Sequence, residues 1–150
     1  MNIEEEIKQK AKFRNPHHKL AVNLLYTANW LLEKNQFFFK QYELTNQQFN
    51  ILRILRGQHP QKISGAEIKN RMIDKNSDVS RLLDRLILKN LVAKSQCAND
   101  KRAADVMITK QGLGLLKEID KKMDSSDTGV LQLTKAEANQ LSDLLDKCRG

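Results

Sequence analysis

Residues 64–112 read SGAEIKNRMIDKNSDVSRLLDRLILKNLVAKSQCANDKRAADVMITKQG, and the order of local signals in this stretch decides the fold. Ser64 with Glu67 three positions on is a capping box: the hydroxyl accepts from an orphan amide and the carboxylate reaches back to the Ser64 amide. A short helix is expected from Gly65 to about Met72. A second helix follows, with Asn76 or Ser77 as its N-cap and Asp78 in the first turn, where the helix dipole favours negative charge. Val79, Leu82, Leu83 and Leu86 then form one apolar stripe of helical period. The opposite face carries Ser77, Ser80, Arg81 and Asp84, with Arg85 at its edge. These are donors and acceptors of the kind that reach base edges and phosphates.

Leu91 and Val92 end that helix, and Asn90 before them tolerates the left-handed backbone common after a helix C-terminus. Residues 92–97 and 105–109 are strand candidates, the second rich in β-branched side chains (Val106, Ile108, Thr109). Residues 98–104 lie between them as a basic turn containing Asp100, Lys101 and Arg102. A solvated face accounts for one charged amphipathic helix by itself. It does not account for a basic hairpin tip beside that helix, which suits a second contact with a nucleic-acid backbone or minor groove. The outline is a winged helix-turn-helix.

Here the chain resembles the MarR family of bacterial transcription regulators. The resemblance lies in Ser80-Arg81-Leu82-Leu83-Asp84-Arg85-Leu86, in Leu91-Val92, and in Asp100-Lys101-Arg102-Ala103 followed by Val106, Ile108-Thr109 and Gly112. It implies a dimeric protein that binds double-stranded DNA, with Arg81 in the major groove and Arg102 near the minor groove. Asn76, Ser77, Ser80 and Arg85 join Arg81 as recognition-helix candidates, and Asp100 and Lys101 join Arg102 in the wing. Lys62, Ser64 and Lys75 are backbone-contact candidates. The resemblance also implies repression relieved by a small ligand bound between the dimer arm and the winged module. Asn90 stands where the family usually has Gly, and Asn accepts the same backbone conformation. The redox-sensing members use a Cys near the N-terminus, whereas the first Cys here is Cys97.

Outside the quoted stretch, residues 1–15 are charged and suit a helix carrying Ile3, Ile7 and Ala11 on one side, interrupted by Pro16. A long helix is expected from His17 to Tyr42, apolar around so much of its circumference that it needs two buried contacts, one of them a partner subunit. Phe37, Phe38 and Phe39 read first as core and dimer packing. Tyr26, Trp30 and Phe37 are the candidates for a pocket that takes a small aromatic or phenolic effector. Thr45 with Gln48 is a second capping box, with Leu44 and Phe49 placed as a hydrophobic staple, for a helix ending at Gly57. Lys62-Ile63 is a candidate third strand. Thr109 caps a further helix to about Met123, residues 124–129 (Asp, Ser, Ser, Asp, Thr, Gly) read as a turn-rich break, and Thr134 with Glu137 opens a last helix.

The expected fold is therefore mainly α with a small β wing, one domain over residues 1–150. Residues 44–109 form the winged helix-turn-helix, and residues 1–43 and 110–150 the dimerisation helices. A chain of 150 residues is long enough for a proper core. Its formal charge of +8 divides as +4 over residues 1–61, +5 over 62–111 and −1 over 112–150, so the excess concentrates on the motif. A homodimer on DNA is the expected assembly. No Gly-rich phosphate loop, nucleophile elbow or metal-spaced His and Cys set occurs, so neither an enzyme nor a cofactor is expected. His17 and His18 are adjacent and point 100° apart on a helix, a poor chelate; no metal is expected. Cys97 and Cys148 form no Cys-x-x-Cys pattern, and no apolar run is long enough to span a bilayer. The expected setting is cytoplasmic, without membrane attachment.

Overall fold

The computed structural model describes the backbone of residues 1–97 and 100–150, and the side chains of these except 96, 97, 100–104 and 128. In chain order the elements are α1 (Ile3–Glu6), α2 (Pro16–Lys40), α3 (Asn46–Gln58), β1 (Ile63–Ser64), α4 (Gly65–Arg71), α5 (Val79–Leu88), β2 (Val92–Cys97), β3 (Asp100–Ile108), α6 (Lys110–Leu131) and α7 (Lys135–Arg149). The expected class, helices around a small β wing, is the one observed. The chain divides into two compact units, residues 1–49 and 50–150.

In the first unit, α1 is a single turn rather than the longer helix expected. Asn2 and Glu5 form its capping box, and Lys8 at φ 54° turns the chain out of it, with the Gln9 amide donating to the Glu4 carbonyl at 2.8 Å. Pro16 does not break a helix; it begins one. At the first helical position its missing N–H is no loss, and Asn15 Oδ1 caps α2 by accepting from the His18 amide at 2.8 Å. After α2, Glu43 at φ 55° closes a Schellman turn in which the Leu44 amide donates to the Phe39 carbonyl at 3.2 Å. The Thr45–Gln48 capping box forms in both directions, at 3.0 and 3.1 Å. Of the three consecutive phenylalanines, Phe39 is buried and stacks on Phe49 at 4.3 Å, while Phe37 is 82% exposed.

The second unit is built on Ile51, Leu52 and Leu55 of α3, Ile68 and Met72, Leu83 and Leu86 of α5, Val92, Ile108, and Leu116 and Ile119 of α6, all buried. Each such side chain contributes about 1.5–3 kcal/mol on leaving water. The sheet order is β1-β3-β2, antiparallel throughout, with Ile63 opposite Val106 and Val92 opposite Ile108. The expected third strand is thus β1. β3 begins at Asp100, five residues before the expected start, so residues 100–104 are strand rather than turn. Local pattern favoured the β-branched end of this segment, but ladder pairing with β2, as between Gln96 and Ala104, extends it.

Helix α6 also departs from expectation: it continues through residues 124–129 to Leu131. None of those six residues is Pro, so each carries only a propensity deficit of about 0.5–1 kcal/mol relative to Ala, and a helix already nucleated at Thr109 propagates through them. Arg56 of α3 donates to Asp120 of α6 from Nη1 and Nη2, at 2.6 and 3.5 Å. Helix α7 opens with the expected Thr134–Glu137 capping box and buries none of its residues. No described helix is long and apolar enough to cross a membrane.

Candidate nucleic-acid interface

Helix α5, the candidate recognition helix, is positioned by the turn before it. Met72 is buried, and the next amide, that of Ile73, donates to Asn50 Oδ1 at 2.9 Å from inside α3. Asp74 then organises the turn: its carboxylate accepts from the Asn76 amide at 2.9 Å and its carbonyl from the Ser77 hydroxyl at 2.8 Å. The helix cap is Asp78, whose carboxylate accepts from the Arg81 amide at 3.2 Å, and not Asn76 or Ser77. Asp74 already holds those two residues in the turn, which leaves Asp78 as the first side chain able to reach the free amides. The helix ends at Leu88, before the expected Leu91 and Val92. Asn90 takes φ 62°, and the Leu91 amide donates to the Leu86 carbonyl at 3.1 Å, a Schellman closure like those at Lys8 and Glu43, with a left-handed residue that is not Gly.

Val79, Leu83 and Leu86 of α5 are buried, and Ser80, Arg81, Asp84 and Arg85 are exposed, as the periodicity required. Among the described residues neither the Arg81 nor the Arg85 guanidinium takes an ion pair or a hydrogen bond, whereas Arg56, Arg71 and Arg149 each hold a carboxylate. Two cations with unused donors, on a helix whose other side is fixed in a core, can engage an external acceptor without first breaking an internal contact.

The other candidates separate. Ser77 is 6% exposed with its hydroxyl proton given to Asp74, so its observed work is inside the turn. Ser64 Oγ caps α4 by accepting from the Glu67 amide at 3.2 Å; Glu67 pairs with Arg71, so only half of the expected box is seen. Lys75 donates to the Asn70 carbonyl, and Lys62 to Ser95 Oγ at 2.7 Å, reaching across the sheet from beside β1 to β2. Asn76 and Ser80 line a cleft of about 410 Å³ together with Gly65, Ala66 and Lys69 of α4. Lys69 was not among the expected contacts; it is one of two exposed cations on the short capped helix α4, and the other, Arg71, is held by Glu67. The wing candidates Asp100, Lys101 and Arg102 have their backbone in β3, and their side chains lie outside the described residues.

Of the effector candidates, Tyr26 is exposed and its hydroxyl donates to Glu6 Oε2 at 2.9 Å, a carboxylate contact that raises the phenol above its ordinary pKa. Trp30 is half-buried and Phe37 projects from α2. No group of three metal-ligating side chains occurs among the described residues. Cys148 is free and exposed, and the Cys97 side chain lies outside the described residues.

A sequence model of the MarR family matches residues 44–104. The HTH-type transcriptional regulator PecS of Dickeya dadantii (strain 3937) is 29% identical over 82 residues, 54% of this chain and 49% of PecS, so the chain spans about half the length of that relative. A MarR transcription factor from Planctomyces limnophilus superposes with a TM-score of 0.71 at 28% identity, over 92% of this chain and 98% of that one. MepR of S. aureus, in a complex with DNA, shares the fold at a TM-score of 0.69 and 24% identity, over 84% of this chain and 93% of MepR. The capped helix α5, the three-stranded sheet and these likenesses agree: residues 44–104 match the MarR family model, and the chain is similar in fold to MarR-type transcription regulators.

Proposed function

We propose that this protein is a sequence-specific regulator of transcription that binds double-stranded DNA as a homodimer, and that it is a repressor released by a small ligand. The observation that carries the DNA reading is α5, with Arg81 and Arg85 exposed and uncommitted on the side opposite a buried stripe. A helix of this kind enters the major groove with its first turns against base edges, while the preceding helix crosses the backbone. Ser80 and Arg81 then face bases, and Lys69 and Asn76 take phosphates at the cleft between α4 and α5. The wing supplies Arg102 and Lys101 to the flanking minor groove and backbone. MepR, of the same fold, is bound to DNA in its complex, which supports this reading.

The homodimer is supported by apolar side chains left in solvent outside the winged module. Leu25, Leu32 and Phe37 of α2 and Leu141 and Leu144 of α7 are 46–82% exposed, large apolar side chains that a partner subunit would take out of water. A two-fold pair is the commonest way to cover such faces. Tyr26, Trp30 and Phe37 support the ligand reading only as an aromatic row on α2.

Selection of bound sequences from random duplex DNA tests the proposal. The expected product is a pseudo-palindrome with half-sites about 10 base pairs between centres. Recovery of no common sequence, with affinity that depends on salt alone, would remove sequence-specific regulation. Titrating phenolic and aromatic ligands against the selected site should weaken DNA binding and change Trp30 fluorescence together, by one coupling factor. A panel that moves neither signal would remove the ligand.

A further inference from the structure

Thr109 stands where four segments of the second unit converge: the end of α5, the start of β2, the end of β3 and the start of α6. Its Oγ1 donates to the Asn90 carbonyl at 2.7 Å and accepts from the Gly112 amide at 3.0 Å. Its own amide donates to the Leu91 carbonyl at 3.1 Å. The first bond reaches a residue 19 positions away, at the left-handed closure of the recognition helix. The second caps α6. Gly112 is needed for the same convergence, because a Cβ there would lie 2.4 Å from the Leu91 carbonyl oxygen and 2.6 Å from Ile108 Cγ1. One hydroxyl thus ties the last turn of α5 to the root of the β2–β3 pair.

The root controls a long lever. From Ile108 to Asp100, β3 spans eight residue steps, or about 26 Å at about 3.3 Å each. A change of about 10° at the root therefore moves the far end of β3 by about 4–5 Å, more than the roughly 3 Å over which a hydrogen bond holds. Capping of α6 alone would need only an acceptor at residue 109, a role Asp or Asn fills as well. The donor half of the Thr109 hydroxyl, spent on the Asn90 carbonyl, is what capping leaves unexplained.

We infer that Thr109 is a positioning residue whose hydroxyl sets the angle of the β2–β3 hairpin to the recognition helix, so that helix and wing engage one duplex together. The hairpin angle follows from the fold alone, while its effect on DNA rests on the function proposed above. Two substitutions separate the tie from the cap. Thr109→Ser keeps donor and acceptor; Thr109→Asp keeps an acceptor for the Gly112 amide and has no hydroxyl to give Asn90.

The angle is read without DNA, as the distance between spin labels at Asp84→Cys and Lys101→Cys in full-length protein with Cys97→Ser and Cys148→Ser. Wild type and Thr109→Ser should give one narrow distance, and Thr109→Asp a broadened or displaced one with its helix content unchanged. In unlabelled protein Thr109→Asp should lose about tenfold in affinity for the selected site, on the order of one hydrogen bond, while keeping base preference at positions that depend on Arg81. A wild-type distance distribution for Thr109→Asp would overturn the inference. Should that variant not fold, Thr109→Val is read the same way at a temperature where its circular dichroism matches wild type. If wild type shows no sequence preference, the DNA reading fails, and the distance measurement still decides whether Thr109 sets the angle.

Discussion

Arg81 and Gly112 act through opposite properties, one by reaching out and the other by having nothing to reach with. Arg81 is exposed, its guanidinium is unpaired among the described residues, and its amide is fixed to the Asp78 cap, so its base sits on a rigid turn. A bidentate contact to a guanine edge is worth about 1–3 kcal/mol of discrimination. Arg81→Ala should therefore weaken the selected site and flatten preference at one base position per half-site, measured by competition against a panel of single-base variants. Equal loss on selected and random DNA would reduce Arg81 to a phosphate contact. Gly112 offers a comparison within one helix. A methyl group there meets the Leu91 carbonyl, a backbone atom that cannot rotate away, so Gly112→Ala should cost about 1–3 kcal/mol as an overpacked site. Gly114, two residues on in α6, has nothing within 4 Å of a built Cβ. Gly114→Ala should instead stabilise by about 0.5–1 kcal/mol through lower unfolded-state entropy. Urea unfolding of the two variants reads both signs; destabilisation by Gly114→Ala as large as by Gly112→Ala would show that helix context rather than the Leu91 carbonyl is responsible.

At the scale of the element, α5 depends on a cap that neither of the two expected side chains supplies. Asn76 and Ser77 are bound into the Asp74 turn, and Asp78 caps. Asp78→Ala should cost about 0.5–2 kcal/mol and fray the turn that carries Ser80 and Arg81, whereas Asp78→Asn should retain most of the stability. Thermal unfolding with both variants decides this; equal losses for Ala and Asn would mean that the charge near the helix N-terminus, not the hydrogen bond, is what matters. At this scale too, the sheet extends beyond its local pattern. β3 is anchored by Val106 and Ile108, buried and paired with β1 and β2, and its earlier residues follow by ladder pairing rather than by their own propensity.

For the whole molecule the question is what covers the apolar residues that one chain leaves bare. Helix α7 is capped, amphipathic and without a buried residue, which a helix in water does not sustain on propensity alone. A chain lacking residues 134–150 should sediment as a monomer or lose its cooperative unfolding transition, and its DNA affinity should fall toward the non-specific level because both half-sites are no longer held at once. A folded full-length monomer with undiminished affinity for a single half-site would sink the dimer model.

What the sequence determined by itself was the set of devices whose two partners lie within one turn of chain. The caps at Thr45, Ser64 and Thr134 join residues three positions apart, and the left-handed Asn90 is a property of one residue, so each was legible from residue type and spacing. The polar face of α5 was legible because burying the Val79, Leu83 and Leu86 stripe leaves Arg81 and Arg85 outside. Only the tertiary structure decided the rest: that Pro16 opens a helix, that α6 runs through a turn-like hexapeptide, and that Asp78 is the free cap. It alone showed Asn50 holding Ile73 across 23 positions, Arg56 holding Asp120 across 64, and Thr109 holding Asn90 across 19. Such contacts have no period in the sequence, since they arise where folded elements happen to cross, and a donor there is chosen by distance in space rather than by position along the chain.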